Sequence, residues 1–263
     1  MKNVLSRIFM ATVIALLLGD SIPGGQLGEV ILLHQLADWG GARAGLAQGK
    51  EGELILQRPG DLICSADPID IDLSAESTFS GEFRRQKGAP EDAAFFFGLI
   101  CYDRNMQRIL PHHVNPCENT ETELSAGCEA ADTVIRVRDG SRYSPDVLVA
   151  FQILPDFADL PNFTVNPKAK VQEVRKLDDG TYELILSGAI GRAAVAGTPL
   201  RAHRSGGSPY LYAVACAQRL SEEWTTLSAT LKGTLPGDIR NAWYPGTCFA
   251  SPAVFCSGKT TGE

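Results

Sequence analysis

The chain has 263 residues, enough for one large domain or two small ones, with 44% hydrophobic and 21% charged residues. That balance excludes disordered and fibrous classes. The formal net charge of −7 leaves no basic surplus to neutralise a phosphate backbone, so nucleic acid is not the expected partner.

The amino terminus reads as an export signal. Lys2 and Arg7 supply positive charge ahead of the apolar run Ile8 to Gly19. That run is too short for the ~20 residues of a spanning helix and suits the apolar core of a signal peptide. No A-x-A cleavage sequence follows; Gly19-Asp20-Ser21 offers small residues at the two required places. The alternative is an uncleaved anchor. No second long apolar stretch appears, so no membrane span is expected after signal removal, and a secreted or extracytoplasmic location follows. The next segment, Gly28 to Trp39, reads either as an amphipathic helix or as an entering strand.

From about residue 52 onward, short runs alternate apolar and polar residues with a period of two. Glu53–Gln57, Leu62–Ser65 and Ile69–Leu73 come first, and then Phe79–Arg85 places Phe79, Gly81 and Phe83 on one face. Ala93–Tyr102 is nearly all apolar, as in a strand covered on both sides. Thr133–Arg138, Val147–Leu154, Val171–Leu177 and Thr181–Ser187 follow, the last two joined by Asp178-Asp179-Gly180, a hairpin signal because glycine accepts positive φ. Pro199–His203, Pro209–Cys216, Trp224–Leu231 and Thr247–Phe255 complete the series. So many short strands with few helical segments predict an all-β fold: an antiparallel β-sandwich or jelly roll with few short helices. The expected layout is a signal peptide over 1–21, a lead-in segment over 22–51, one domain over 52–257 and a frayed tail over 258–263.

The order of these signatures resembles that of carbohydrate-binding modules of the galactose-binding-like β-jelly-roll type, over about residues 52–232. The residues that carry it are Cys64-Ser65-Ala66-Asp67-Pro68-Ile69-Asp70-Ile71-Asp72 running into Phe79-Ser80-Gly81-Glu82-Phe83-Arg84. Then come Phe97-Gly98-Leu99-Ile100-Cys101-Tyr102-Asp103, Ala196-Gly197-Thr198-Pro199-Leu200-Arg201 and Ser221-Glu222-Glu223-Trp224. Segments around Cys117–Cys128 and Ser205–Ser208 depart from the pattern. The resemblance implies binding of carbohydrate or of a glycan-bearing surface without catalysis, and a structural calcium at most.

Sugar binding of this kind rests on exposed aromatic faces beside polar groups. Trp39, Trp243 and Tyr244 sit in Gly- or Pro-rich surroundings and are the first candidates, each with the alternative of plugging an end of the sandwich; Tyr210 and Tyr212 share a strand face and form a second set. Trp224 opens an alternating strand and reads as core. Asp67, Asp70 and Asp72 are candidate calcium ligands, with a solvated strand face as the other account. His112-His113 beside Cys117 suits zinc poorly, since adjacent residues on an extended segment point apart.

Seven cysteines fit an oxidising compartment, and local pairs Cys117–Cys128 and Cys248–Cys256 are expected. Cys64, Cys101 and Cys216 read as buried thiols in apolar runs. An odd count leaves one thiol unpaired or linking to another chain, so a homo-oligomer is conceivable. Asn162-Phe163-Thr164 matches a glycosylation sequon. No G-x-S-x-G, H-E-x-x-H, P-loop or dinucleotide fingerprint appears. The alternatives to a binding module are a structural surface, appendage or tail-fibre-like subunit, and a glycan-cleaving enzyme using carboxylates such as Glu82, Asp103, Glu173 and Glu183.

Overall fold

The computed structural model describes residues 8–11, 15–18, 29–33, 35–41, 46–50, 53–56, 60, 62–87, 89, 91, 93–205, 211–237 and 241–257. It opens with β1 (Ile8–Ala11), β2 (Ala15–Leu18) and β3 (Glu29–Leu32), so the apolar run near the amino terminus contributes two strands. A 3-10 turn over Leu36–Asp38 leads into β4 (Trp39–Gly41), β5 (Leu46–Gln48) and β6 (Leu54–Leu56). The segment that allowed a helix or a strand is therefore strand, turn and strand. Next come β7 (Leu62–Ser65), β8 (Ile69–Asp70), β9 (Ser77–Arg85), β10 (Ala94–Tyr102) and β11 (Arg108–Ile109). After the one-turn helix α1 (Pro111–Val114) the chain forms β12 (Thr122–Glu123), β13 (Val134–Val137), β14 (Val147–Phe151), β15 (Val171–Lys176), β16 (Tyr182–Leu186) and β17 (Pro199–Arg204). It ends with β18 (Leu211–Gln218), β19 (Thr225–Leu231) and β20 (Phe249–Ser257).

Two seven-stranded antiparallel sheets make a sandwich. One is centred on β9, which pairs with β19 along one edge and with β1 and β2 along the other. The second is centred on the β10–β20 pair, in register from Ala94↔Ser257 to Tyr102↔Phe249. The period-two reading of β9 holds: Phe79, Gly81 and Phe83 are all buried, whereas Glu82 is exposed. Phe83 packs between Phe95 and Phe97 across the layer gap, with ring centroids at 4.7 and 5.0 Å. A side chain on Gly81 would strike the Phe83 ring at 2.6 Å, so glycine is what lets that ring fold back over the strand. Burying aromatic surface in this way contributes on the order of 25 cal/mol per Å².

Residues 115–204, between β11 and β18, build a second pair of sheets, β12-β17-β14 and β13-β16-β15. Their apolar core is separate and includes Ile135, Val137, Phe151, Leu184 and Leu200. The Asp178-Asp179-Gly180 connection forms the expected hairpin, with Gly180 at φ 85° and Leu177 N–H donating to Thr181 O at 2.8 Å. The two ends of the insert lie side by side: Pro116 bridges His203, and Arg204 N–H donates to Asn115 O at 2.9 Å.

All seven thiols are free, which corrects both expected disulfides. Cys248 and Cys256 stand at opposite ends of the extended β20 segment. Eight residues of strand separate them by roughly 25 Å, whereas a disulfide needs Cα atoms about 6 Å apart. Cys117 and Cys128 are likewise held at opposite ends of a pairing with the 194–203 stretch, Cys117 N–H on Ala202 O and Cys128 N–H on Ala194 O, both at 2.8 Å. Cys101 is buried as expected and its thiol is pushed up to about 12 by burial. Cys64 is half-buried and Cys216, against expectation, is exposed on β18.

Candidate functional site

The aromatic side chains expected to meet a sugar belong to the core. Trp39, Trp243 and Tyr244 are at most 2% exposed. Trp243 sits edge-on to Phe79 at 5.8 Å between the layers, and the Nε1–H groups of Trp39 and Trp243 find no hydrogen-bond partner among the described residues. Rings so placed offer no face to a ligand: Gly40 beside Trp39 lies in β4 in close approach to Ala66, and Pro245-Gly246 after Tyr244 forms a turn. Tyr210 and the side chain of Tyr212 lie outside the described residues. Trp224, expected in the core, is instead 38% exposed, with the Arg84 guanidinium 4.4 Å from its ring centre.

The carboxylates do not gather into a metal site. Asp70 is exposed on β8, Asp67 is exposed in the preceding bend, and Asp72 accepts Ser74 N–H at 2.9 Å and Ser74 Oγ–H at 2.7 Å. That turn holds the Asp72 carboxyl below its usual range. Among the described residues no three His, Cys, Asp or Glu side chains converge as metal ligands. Of the other candidate carboxylates, Glu82 is exposed on β9 and the remaining three are engaged locally. Asp103 caps a turn through Asn105 and Gln107 N–H, and Glu183 and Glu173 join Arg136 and Arg175 in an ion-pair ladder over β13, β16 and β15. The sequon asparagine, Asn162, is 4% exposed and its amide donates to Phe151 O and Asp159, so in the folded chain it is out of reach of modification.

What the structure does bring together is a polar cleft of about 1150 Å³ where the insert meets the sandwich. Its walls include Cys117, Asn119, Arg142, Asp146, Phe157 and Arg204, with Pro236 and Gly237 of the loop after β19 opposite. Thr120 anchors one wall, donating to Cys117 O at 2.7 Å and accepting Ala202 N–H at 3.1 Å. Burial raises the Cys117 thiol despite the opposing Arg204 guanidinium, so it remains protonated. Three lining residues have left-handed backbone: Asn119 at φ 59°, Asp146 at 69° and Phe157 at 59°, the last preceded by Asp156 at 54°. Asn and Asp tolerate that region; a bulky Phe does so only when surrounding structure imposes it.

Beneath Phe157 lies the structure that imposes it. Arg201 on β17 is 1% exposed and grips Asp159 with two hydrogen bonds, Nη1 to Oδ1 at 3.0 Å and Nη2 to Oδ2 at 2.8 Å. Its guanidinium also faces the Phe157 ring, 5.0 Å from the centre. Asp159 accepts Leu154 N–H at 3.0 Å and the Asn162 amide at 2.7 Å, cinching the 154–162 loop around itself. Burial pushes the Asp159 carboxyl up, but the Asn162, Leu154 and Arg201 donors outweigh it and hold the group below its ordinary value. A side chain on Gly246, at φ 78°, would run into the Pro161 ring, so the loop is also pressed against the sandwich.

His203 completes the buried set. Its Nε2 accepts Arg201 Nε–H at 3.0 Å, which leaves Nδ1–H to donate to His112 O at 2.7 Å and fixes the neutral tautomer. Burial lowers His203 from 6.5 to about 4, and burial with the neighbouring imidazoles lowers His113 to about 3. His112 and His113 sit on α1 with their rings 4.3 Å apart, and His113 Nδ1 accepts Leu110 N–H at 3.1 Å. That bond occupies one of the two ring nitrogens of His113, and among the described residues no third ligand gathers beside the pair. The signal for this cluster was present in the sequence as Arg201-Ala202-His203, two polar residues on one face of an apolar strand, but its partners lie some forty and ninety residues away. Compared with known proteins, the chain matches no protein family, no curated protein and no solved structure.

Proposed function

We propose that this protein is an exported, non-catalytic binding module for carbohydrate or a glycan-bearing surface, and that its ligand occupies the cleft at the base of the insert. One observation carries the reading: the half-buried Phe157 ring stands at the cleft wall, held there by strained backbone and by the Arg201–Asp159 pair beneath it. A pre-positioned ring flanked by Asn119, Arg142, Asp146 and Arg204 matches what a pyranose needs, an apolar face to lie against and polar groups for its hydroxyls. The resemblance to galactose-binding-like modules supports the same reading.

The test is a glycan array probed with the full chain and with Phe157→Ala and Arg204→Ala. The wild type is expected to retain a subset of glycans, and each variant to lose that retention with its melting temperature nearly unchanged. If the wild type retains none at millimolar concentration, the reading is overturned.

A further inference from the structure

We propose that the His203–Arg201–Asp159 chain is an acid-sensitive latch: protonation of His203 frees the 154–162 loop and with it the Phe157 wall of the cleft. This goes beyond the binding reading and stands whether or not the cleft holds a glycan.

The geometry makes His203 the weak point. Its Nε2 lone pair is consumed by the Arg201 Nε–H. When Nε2 takes a proton from solvent, a donor opposes a donor and two cations share a site closed to water. The groups facing His203 are Arg201 on its own strand, Asp159 from the loop, and His112 and His113 from α1; the His112 carbonyl and Asp159 favour the charged imidazole, and burial with the Arg201 and His112 charges outweighs them. The strain spreads along one path. Arg201 must withdraw from His203, and in withdrawing it loses either its fork on Asp159 or its place under Phe157. Asp159 in turn is what holds Leu154 N–H and Asn162. The loop's left-handed residues Asp156 and Phe157 then relax, because the contacts that imposed them are gone.

The sign follows from linkage. With the closed-state value near 4 and the released value at the ordinary 6.5, the open form binds the proton more tightly. Closure is therefore fully favoured above about pH 6.5 and weakens as pH falls toward 4. Between pH 7 and 4.5 the open fraction of the loop is expected to rise by about tenfold or more.

The experiment follows amide-exchange protection factors in the wild-type full chain over that range, beside histidine-selective nitrogen NMR. Protection over 154–162 should fall in step with His203 protonation while β10 and β20 keep theirs, and at pH 7 His203 should be the Nδ1–H tautomer. In His203→Gln the acid loss should move down to the pH where Asp159 protonates. The latch is overturned by loop protection that ignores His203 protonation, by loop and sandwich losing protection together, or by a His203→Gln profile that superimposes on the wild type. If that variant does not fold, the wild-type NMR and exchange data decide alone.

Discussion

Arg201 and Asp159 meet as a fork on a fork, with contacts of 3.0 and 2.8 Å, and both side chains are shut away from solvent at 1% and 7% exposure. Taking two charges out of water costs several kcal/mol each, and the attraction between them offsets this only when geometry is good. Arg201→Met strands the carboxylate and is expected to lower stability by about 3–5 kcal/mol in urea unfolding. Adding Asp159→Asn should recover part of that loss, because it removes the charge the first change stranded; additive losses would refute the coupling.

The core aromatics and the exposed ones should separate cleanly. Trp243 is fully buried against Phe79, so Trp243→Ala is expected to cost about 3–5 kcal/mol in thermal or denaturant unfolding. Trp224 has Arg84 over its ring and is 38% open to solvent. Trp224→Ala should stay within about 1 kcal/mol.

Thiol chemistry offers a direct check on the cysteine positions. Alkylation of the native protein without reductant, read by mass spectrometry, should modify exposed Cys216 first and leave buried Cys101 and Cys256 to the last. Burial raises Cys101 to about 12 and Cys256 to about 11, which keeps the reactive thiolate scarce at both. Full denaturation should then release seven alkylated residues. Under mild oxidation any covalent dimer should form through Cys216 and vanish in Cys216→Ser.

The strands were legible because alternation is a local property. The β9 and β16 runs and the Gly180 hairpin follow from their own residues and fall where the spacing places them. Trp224 shows how the same signal can be misread by one step. In β19 the apolar face is Leu227, Ala229 and Leu231, and Trp224 shares its parity with Thr226, Ser228 and Thr230 on the open face. The phase was in the sequence, but residue type was given more weight than position. Trp39 and Trp243 failed differently, since glycine near an aromatic, in strand β4 or in a turn, says nothing about which way the ring points. The cleft was not legible at all. Phe157, Arg142 and Arg204 converge only after some sixty residues of intervening chain have folded, and no periodicity encodes that meeting.

The insert leaves and rejoins the larger body at a single doorway, where Asn115 and Pro116 run beside His203 and Arg204. Its flanking strands, β11 and β18, both lie on the same edge of β10. A segment tethered at one threshold can lengthen, shrink or be exchanged wholesale while the layers behind it keep their register. Insert and scaffold are thereby uncoupled, and sequence change at the doorway need not renegotiate the architecture that bears it.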